Sequence, residues 1–147
     1  MTTALPNASS TTSCQITSSP IDLSALSAFV STPATGAVVE FTGRVRDHDH
    51  GRVVVALEYE AHPTAAQVLD KIVRAVSGQF SDARIAAIHR TGRLGIGEVA
   101  MAVAVGTSHR TDAFDACRAL VEEIKASLPI WKLQTFDDGT TEWVNCL

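Results

Sequence analysis

The chain has 147 residues, 46% of them hydrophobic and 19% charged, with a formal net charge of −4. That length suits one domain, or one domain with a tail, and a core that needs neither disulfides nor metal to hold it. The composition excludes a disordered chain, and the acidic balance excludes a general nucleic-acid binder, whose affinity rests on a basic surface.

Ser and Thr fill ten of the first twenty positions. Such a segment buries little, so residues 1–13 read as a disordered tail and residues 14–147 as a single domain. Cys14 to Thr17 reads as a short first strand. Ser19-Pro20-Ile21-Asp22 has the form of a helix start, with Leu23, Leu26 and Val30 spaced for one buried face and Pro33 and Gly36 as stops. Ala37 to Val45 is predicted as a strand, with Val39, Phe41 and Gly43 on one face. Arg46 to Arg52 is polar and reads as a loop. Val53 to Glu60 alternates as a strand, with the preceding strand as its expected hairpin partner. Pro63 opens a long helix to about Phe80, whose inner face is Ala66, Leu69, Ile72, Val73 and Val76. Arg84 to His89 is a strand, and Gly92, Gly95 and Gly97 break the next stretch into a loop. Glu98 to Thr107 is an apolar strand of small residues, buried on both faces. Thr111 to about Ala126 is a second long helix with the stripe Ala113, Phe114, Cys117, Leu120, Val121 and Ile124. Pro129 forces Leu128 out of helical geometry. Ile130 to Phe136 and Thr140 to Val144 then form a hairpin around Asp137-Asp138-Gly139. The order is mixed α+β, with antiparallel hairpins at both ends of the core and two long helices.

The longest apolar run, Val99 to Val105, is far short of the roughly 20 residues that a membrane helix needs. No Lys or Arg precedes Arg44, unlike a secretory or mitochondrial leader. Cys14, Cys117 and Cys146 are odd in number and lack CxxC spacing, which points to a reducing cytoplasm. Cys117, mid-helix on an apolar face, reads as inert.

Lysine is scarce: only Lys71, Lys125 and Lys132, against nine arginines. Two of the three flank the turn at Pro129. Lys125 falls at the rim of its helix's apolar stripe. Lys132 shares a strand face with Ile130 and Gln134, while Trp131 and Leu133 take the other. Converging ammonium groups lower each other's pKa toward useful acid or base chemistry; the competing reading is two solvated lysines beside a core tryptophan. His109 and Arg110 stand where a strand runs into a helix, a place that favours anions, or else a plain N-cap region around Thr111 or Asp112. Arg44 and Arg46 alternate toward the polar loop and suit bidentate phosphate or carboxylate contact, unless Glu58 or Glu60 pairs with them across the sheet. Asp47-His48-Asp49-His50 offers metal-ligand chemistry, but four adjacent loop residues seldom converge on one ion. His62 and His89 read as structural. The Gly92 to Gly97 spacing is not a dinucleotide fingerprint.

Four segments in order carry a resemblance: Gly36 to His48, Ile88-His-Arg-Thr-Gly-Arg-Leu, Thr107-Ser-His-Arg-Thr-Asp-Ala-Phe, and Lys125-x-x-x-Pro129-Ile-Trp-Lys132. Together they resemble the large, catalytic subunit of molybdopterin synthase, the MoaE family, from about Gly36 to Val144. The resemblance implies an α/β-hammerhead-type α+β fold and a homodimer. It implies a small ubiquitin-like sulfur carrier as partner, whose C-terminal Gly-Gly tail ends in a thiocarboxylate. It implies transfer of two sulfurs to cyclic pyranopterin monophosphate, without cofactor or metal. On the matching positions, Arg44, Val45, Arg46, His109, Arg110, Lys125, Lys132, Leu133 and Gln134 line the substrate site. Phe41, Val121 and Pro129 shape the pocket, Lys125 is the principal catalytic lysine and Lys132 shares its role. The alternatives are a non-catalytic carrier-binding paralogue of the same fold and, more remotely, a metal-dependent hydrolase built on Asp47 to His50. The basic residue that family members often carry beyond the Trp-Val segment has no counterpart in Asn145-Cys146-Leu147.

Overall fold

The computed structural model describes residues 11–145. Nine strands and three helices follow one another as β1 (Thr12–Thr17), α1 (Leu23–Val30), β2 (Ala37–Arg44), β3 (His48–Asp49), β4 (Arg52–Ala61) and α2 (Ala65–Gln79), then β5 (Arg84–Arg90), β6 (Gly92–Leu94), β7 (Val99–Thr107), α3 (Arg110–Ser127), β8 (Ile130–Phe136) and β9 (Thr141–Asn145). They form two sheets. The first has the order β1-β5-β7-β2; in the second, β3, β4, β8 and β9 follow one another and β6 adds to β4. Only the β1–β5 pair is parallel among these ladders.

The first sheet is covered on both faces, as the unbroken apolar run of β7 requires. Ile85, Ala87, Met101, Val103 and Val105 pack under α2 and α3, with Leu69, Val73, Leu120 and Ile124. The alternate residues Ala86, Ile88, Ala102 and Ala104 pack under α1, with Leu26 and Val30. Gly106 marks the closest approach of the α1 layer: a Cβ there would meet the Val30 carbonyl. A third cluster, Val45, Val54, Leu57, Leu94, Ala100 and Phe136, lies beneath the second sheet.

Several boundaries and pairings differ from the sequence reading. β1 begins at Thr12, and Thr12 and Ser13 are buried in it; residues 1–10 of the expected tail lie outside the described residues. β2 and β4 are not hairpin partners. β2 pairs with β7 and β4 pairs with β8. Val45 explains the separation: its N–H donates to Glu98 O and its carbonyl accepts from Gly97 N, so the chain is still tied to the β7 side when it leaves for the second sheet. The expected loop at Arg46 to Arg52 contains a tight hairpin. His48 pairs with Val53 and Asp49 with Arg52, and the two turn residues His50 and Gly51 have φ of 48° and 76°, the left-handed pair that a type I′ turn demands. Gly92 to Leu94 is a strand on β4 and not a loop.

On the helices the apolar faces rotate slightly. Ala65, not Ala66, is buried in α2. In α3 the buried stripe is Ala113, Ala116, Cys117, Leu120 and Ile124, while Phe114 is 59% exposed and Val121 half-buried. His62 has a structural task, as expected: its Nδ1 accepts from the Thr64 N–H at 3.1 Å and so satisfies a donor at the start of α2. The β8–β9 hairpin around Gly139 (φ 84°) is as predicted.

Candidate functional site

The turn from α3 to β8 is built by Pro129. Leu128 takes the extended geometry (φ −71°, ψ 120°) that a following proline favours, and its N–H closes the last helical turn on Ile124 O at 3.0 Å. Lys125 stands in that last turn, where a cation also meets the carbonyl end of the helix. Beneath it lies a small cavity lined by Lys125, His89, Met101, Ile124, Leu128 and Ile130. On β8, Gln134 is buried, Lys132 and Leu133 are half-buried and Trp131 is 37% exposed, so Trp131 is not a core residue.

Lys132 is directly opposite Tyr59 in the β4–β8 register. The Tyr59 ring meets the His89 ring edge-on, with centroids 5.2 Å apart at 75°. His89 in turn shares the cavity with Lys125. The two lysines are thus gathered around one Tyr–His pair that bridges the two sheets. Neither Tyr59 nor His89 was singled out by sequence reasoning as part of the site. The available signal was a histidine inside a predicted strand that leads into a glycine-rich break. His89 is 6% exposed. Burial pushes its pKa down to about 4, the Lys125 charge adds to that, and the hydrogen bond with the Arg90 carbonyl opposes both.

A second group organises on Asp49, which the sequence reading placed in a polar loop and weighed only as a metal ligand. The His50-Gly51 turn directs its carboxylate inward. Gln134 Nε2 donates to it at 2.8 Å, Arg46 Nη2 lies at 3.4 Å and His50 Nε2 at 3.6 Å. The Gln134 hydrogen bond, then the nearby His50, Lys132 and Arg46 charges, hold the Asp49 carboxyl below its usual range against some burial. Arg46, Lys132 and Gln134 therefore share one wall. Asp47 pairs with its neighbour His48 at 2.9 Å, and among the described residues no three His, Cys, Asp or Glu side chains converge as a metal site.

Other expected site residues lie elsewhere. Arg44 ends β2 and donates from Nη1 to Gly97 O at 3.2 Å; its register partner is Val99, and Glu58 and Glu60 face Leu133 and Trp131 instead. Arg44 and Arg46 do not share a strand face, because β2 stops at Arg44 after a bulge. The Val45 side chain is 2% exposed in the third core cluster. Phe41 and Val121 line an open cleft between β2 and α3, with Val39, Phe114, Cys117 and Arg118. Val121 is one helical turn from Lys125, so this cleft leads toward the lysine.

His109 and Arg110 are at the other end of α3. They precede Lys125 by about 15 residues, roughly 22 Å along a helix axis. Both are exposed. His109 makes no side-chain cap hydrogen bond, and neither Thr111 nor Asp112 is the cap. The Asp82 carboxylate accepts from Ser108 N at 2.9 Å. That contact, with the His109 charge as a minor contributor, lowers the Asp82 pKa. Within one chain these residues do not reach the lysine turn.

Residues 16–127 match the family described as MoaE protein. The chain is 39% identical over 132 residues to molybdopterin synthase catalytic subunit 1 of Mycobacterium tuberculosis, covering 89% of each. It is 38% identical over 132 residues to the molybdopterin synthase catalytic subunit of a Nostoc species, covering 88% of this chain and 80% of the relative. Among solved structures, molybdopterin synthase from Staphylococcus aureus superposes with a TM-score of 0.83 at 34% identity, over 88% of this chain and 95% of that one.

Proposed function

Because the chain belongs to the MoaE family, we infer that it is the catalytic, sulfur-transferring subunit of a molybdopterin synthase, acting in molybdenum cofactor biosynthesis. The observation that carries this reading beyond sequence similarity is the gathering of Lys125 and Lys132 around Tyr59 and His89 at the Pro129 turn. The donor is a small ubiquitin-like carrier ending in a Gly-Gly thiocarboxylate, and the acceptor is cyclic pyranopterin monophosphate. Both are anionic, which suits a local cationic wall on a protein whose net charge is −4.

The chain's residues divide the work by position. Arg46, Lys132 and Gln134 hold the substrate on the Asp49 wall, where charge-assisted hydrogen bonds contribute about 1.5–3 kcal/mol each. Lys125, in the last turn of α3, meets the carrier tail arriving along the Phe41–Val121 cleft. It moves a proton and stabilises the oxyanion formed as the thiocarboxylate is consumed. Lys132 shares that task. Arg44 and Val45 lead the chain from β2 toward this wall, Leu133 lies between Lys132 and Gln134 on β8, and Pro129 fixes the spacing of the two lysines.

His109 and Arg110 enter the site from a second copy. A homodimer that sets the start of one α3 against the lysine turn of its neighbour would supply the phosphate clamp that a single chain lacks. No helix is long and apolar enough to cross a membrane among the described residues, and the reaction is assigned to the cytoplasm. Incubation with thiocarboxylated carrier and cyclic pyranopterin monophosphate tests the reading. Molybdopterin should form, and carrier binding without product would indicate a non-catalytic paralogue.

A further inference from the structure

His89 is a buried titratable group to which the reading above gives no task. Its Nδ1 is 2.8 Å from the Arg90 carbonyl oxygen. A carbonyl only accepts, so Nδ1 carries the hydrogen and Nε2 keeps the lone pair. The Tyr59 ring edge, 5.2 Å away between centroids, fixes the ring plane. The cavity that His89 shares with Lys125 is otherwise lined by Met101, Ile124, Leu128 and Ile130. In that lining the imidazole is the one strong hydrogen-bond acceptor among the side chains.

We propose that His89 is a positioning residue for Lys125: its neutral imidazole accepts a hydrogen bond from the lysine ammonium at Nε2 and sets where the amine points. Burial and the Lys125 charge hold the imidazole unprotonated down to about pH 4, so the two groups act as acceptor and cation and never as two competing cations near neutrality. The apolar remainder of the lining offers the ammonium nothing better, and a hydrogen bond in such surroundings restricts a flexible four-carbon stem. The contact is argued from the shared cavity and the His89 tautomer; its importance for turnover rests on the reading of Lys125 as the reacting lysine.

The scarcity of lysine makes this testable in the free protein. Trace labelling with an amine reagent, read by mass spectrometry, reports Lys71, Lys125 and Lys132 separately. In His89→Phe, labelling of Lys125 relative to Lys71 should rise about 2- to 10-fold, the range that one net hydrogen bond spans. His89→Gln keeps an acceptor near the Nε2 position and should return the ratio to the parent's. In turnover, His89→Phe should lower kcat at unchanged KM for the carrier, with His89→Gln recovering most of it. If His89→Phe fails to fold, His89→Met carries the same expectation. An unchanged Lys125 to Lys71 ratio in a folded variant overturns the proposal, as does an equal rise in His89→Gln. The functional reading fails separately, if Lys125→Ala still makes product while the labelling ratios behave as stated.

Discussion

The two ends of α3 carry the same kind of charge in different surroundings. At its start, His109 and Arg110 are exposed, and the Asp82 carboxylate near them is already engaged with the backbone N–H of Ser108. At its finish, Lys125 stands above an apolar cavity with a buried neutral histidine, beside a second sheet that brings Tyr59 and Lys132. All three residues are exposed, but only Lys125 borders an apolar cavity, where a neighbouring dipole acts on a cation more strongly than it does in water. On the proposed reading, chemistry belongs to the end of the helix and recognition to its start.

Removing the reacting group should give the largest effect. Lys125→Ala should lower product formation by about 10²- to 10⁴-fold, the span of a general acid–base contribution. Its unfolding free energy should change by no more than about 0.5 kcal/mol, because the residue is exposed. Near-parent turnover in single-turnover assays would erase the contrast between the two ends.

The buried histidine predicts an acid-side loss of stability. His89 titrates near 4 when folded and near 6.5 when unfolded. Between those values the unfolded chain binds more protons, so stability rises with pH across the window. About 3 kcal/mol present above pH 6.5 should be lost progressively as pH falls to about 4. Denaturant midpoints of the parent and of His89→Gln, compared between pH 7 and 4.5, should show a smaller decline in the variant. Equal declines would remove His89 from the account.

The start of α3 should matter for binding, and in trans. Arg110→Ala should weaken turnover at low substrate by about 10-fold, the loss of one charge-assisted contact. Mixing Lys125→Ala and Arg110→Ala chains after dissociation should restore roughly a quarter of parental activity, since a mixed two-fold dimer has one intact site. No recovery on mixing would place both ends of the helix in the same chain's chemistry, or leave the start without any.

Smaller effects should come from the supports. Asp49→Ala should raise KM for the pterin by about 3- to 10-fold, since Gln134 loses its acceptor and Arg46 its partner, and Asp49→Asn should recover part of this. Phe114→Ser should change monomer stability by less than about 0.5 kcal/mol, because its side chain is 59% exposed. A large loss, measured by denaturation at several protein concentrations, would show that a second copy covers it.

Much of the secondary structure was legible in the residues themselves. The small apolar run of β7, the punctuation by Pro33, Pro63 and Pro129, and the Asp-Gly hairpin are local signals, and the elements follow them. The lysine pair and its spacing about Pro129 were legible for the same reason. The strand pairing was not. A hairpin between β2 and β4 is what proximity in sequence suggests. It is overruled because β2 finds its partner in β7, deep in the first sheet, while β4 joins β8 in the second. The turn at His50-Gly51 was missed because histidine is an uncommon first residue for a left-handed pair, and with it went the inward carboxylate of Asp49.

Local signals along the chain specified which chemistry was possible: scarce lysines at a proline turn, basic residues at a helix start, and a mixed α+β order. Which of those charges become neighbours depends on how the two sheets pack. His89 and Tyr59 come from strands in different sheets and far apart in the chain, and they bring Lys125 and Lys132 around one pair of rings. Local propensity reads neighbours along the backbone. Burial, tautomer and charge coupling are set by neighbours in space, which the hydrophobic closure of the two sheets alone creates.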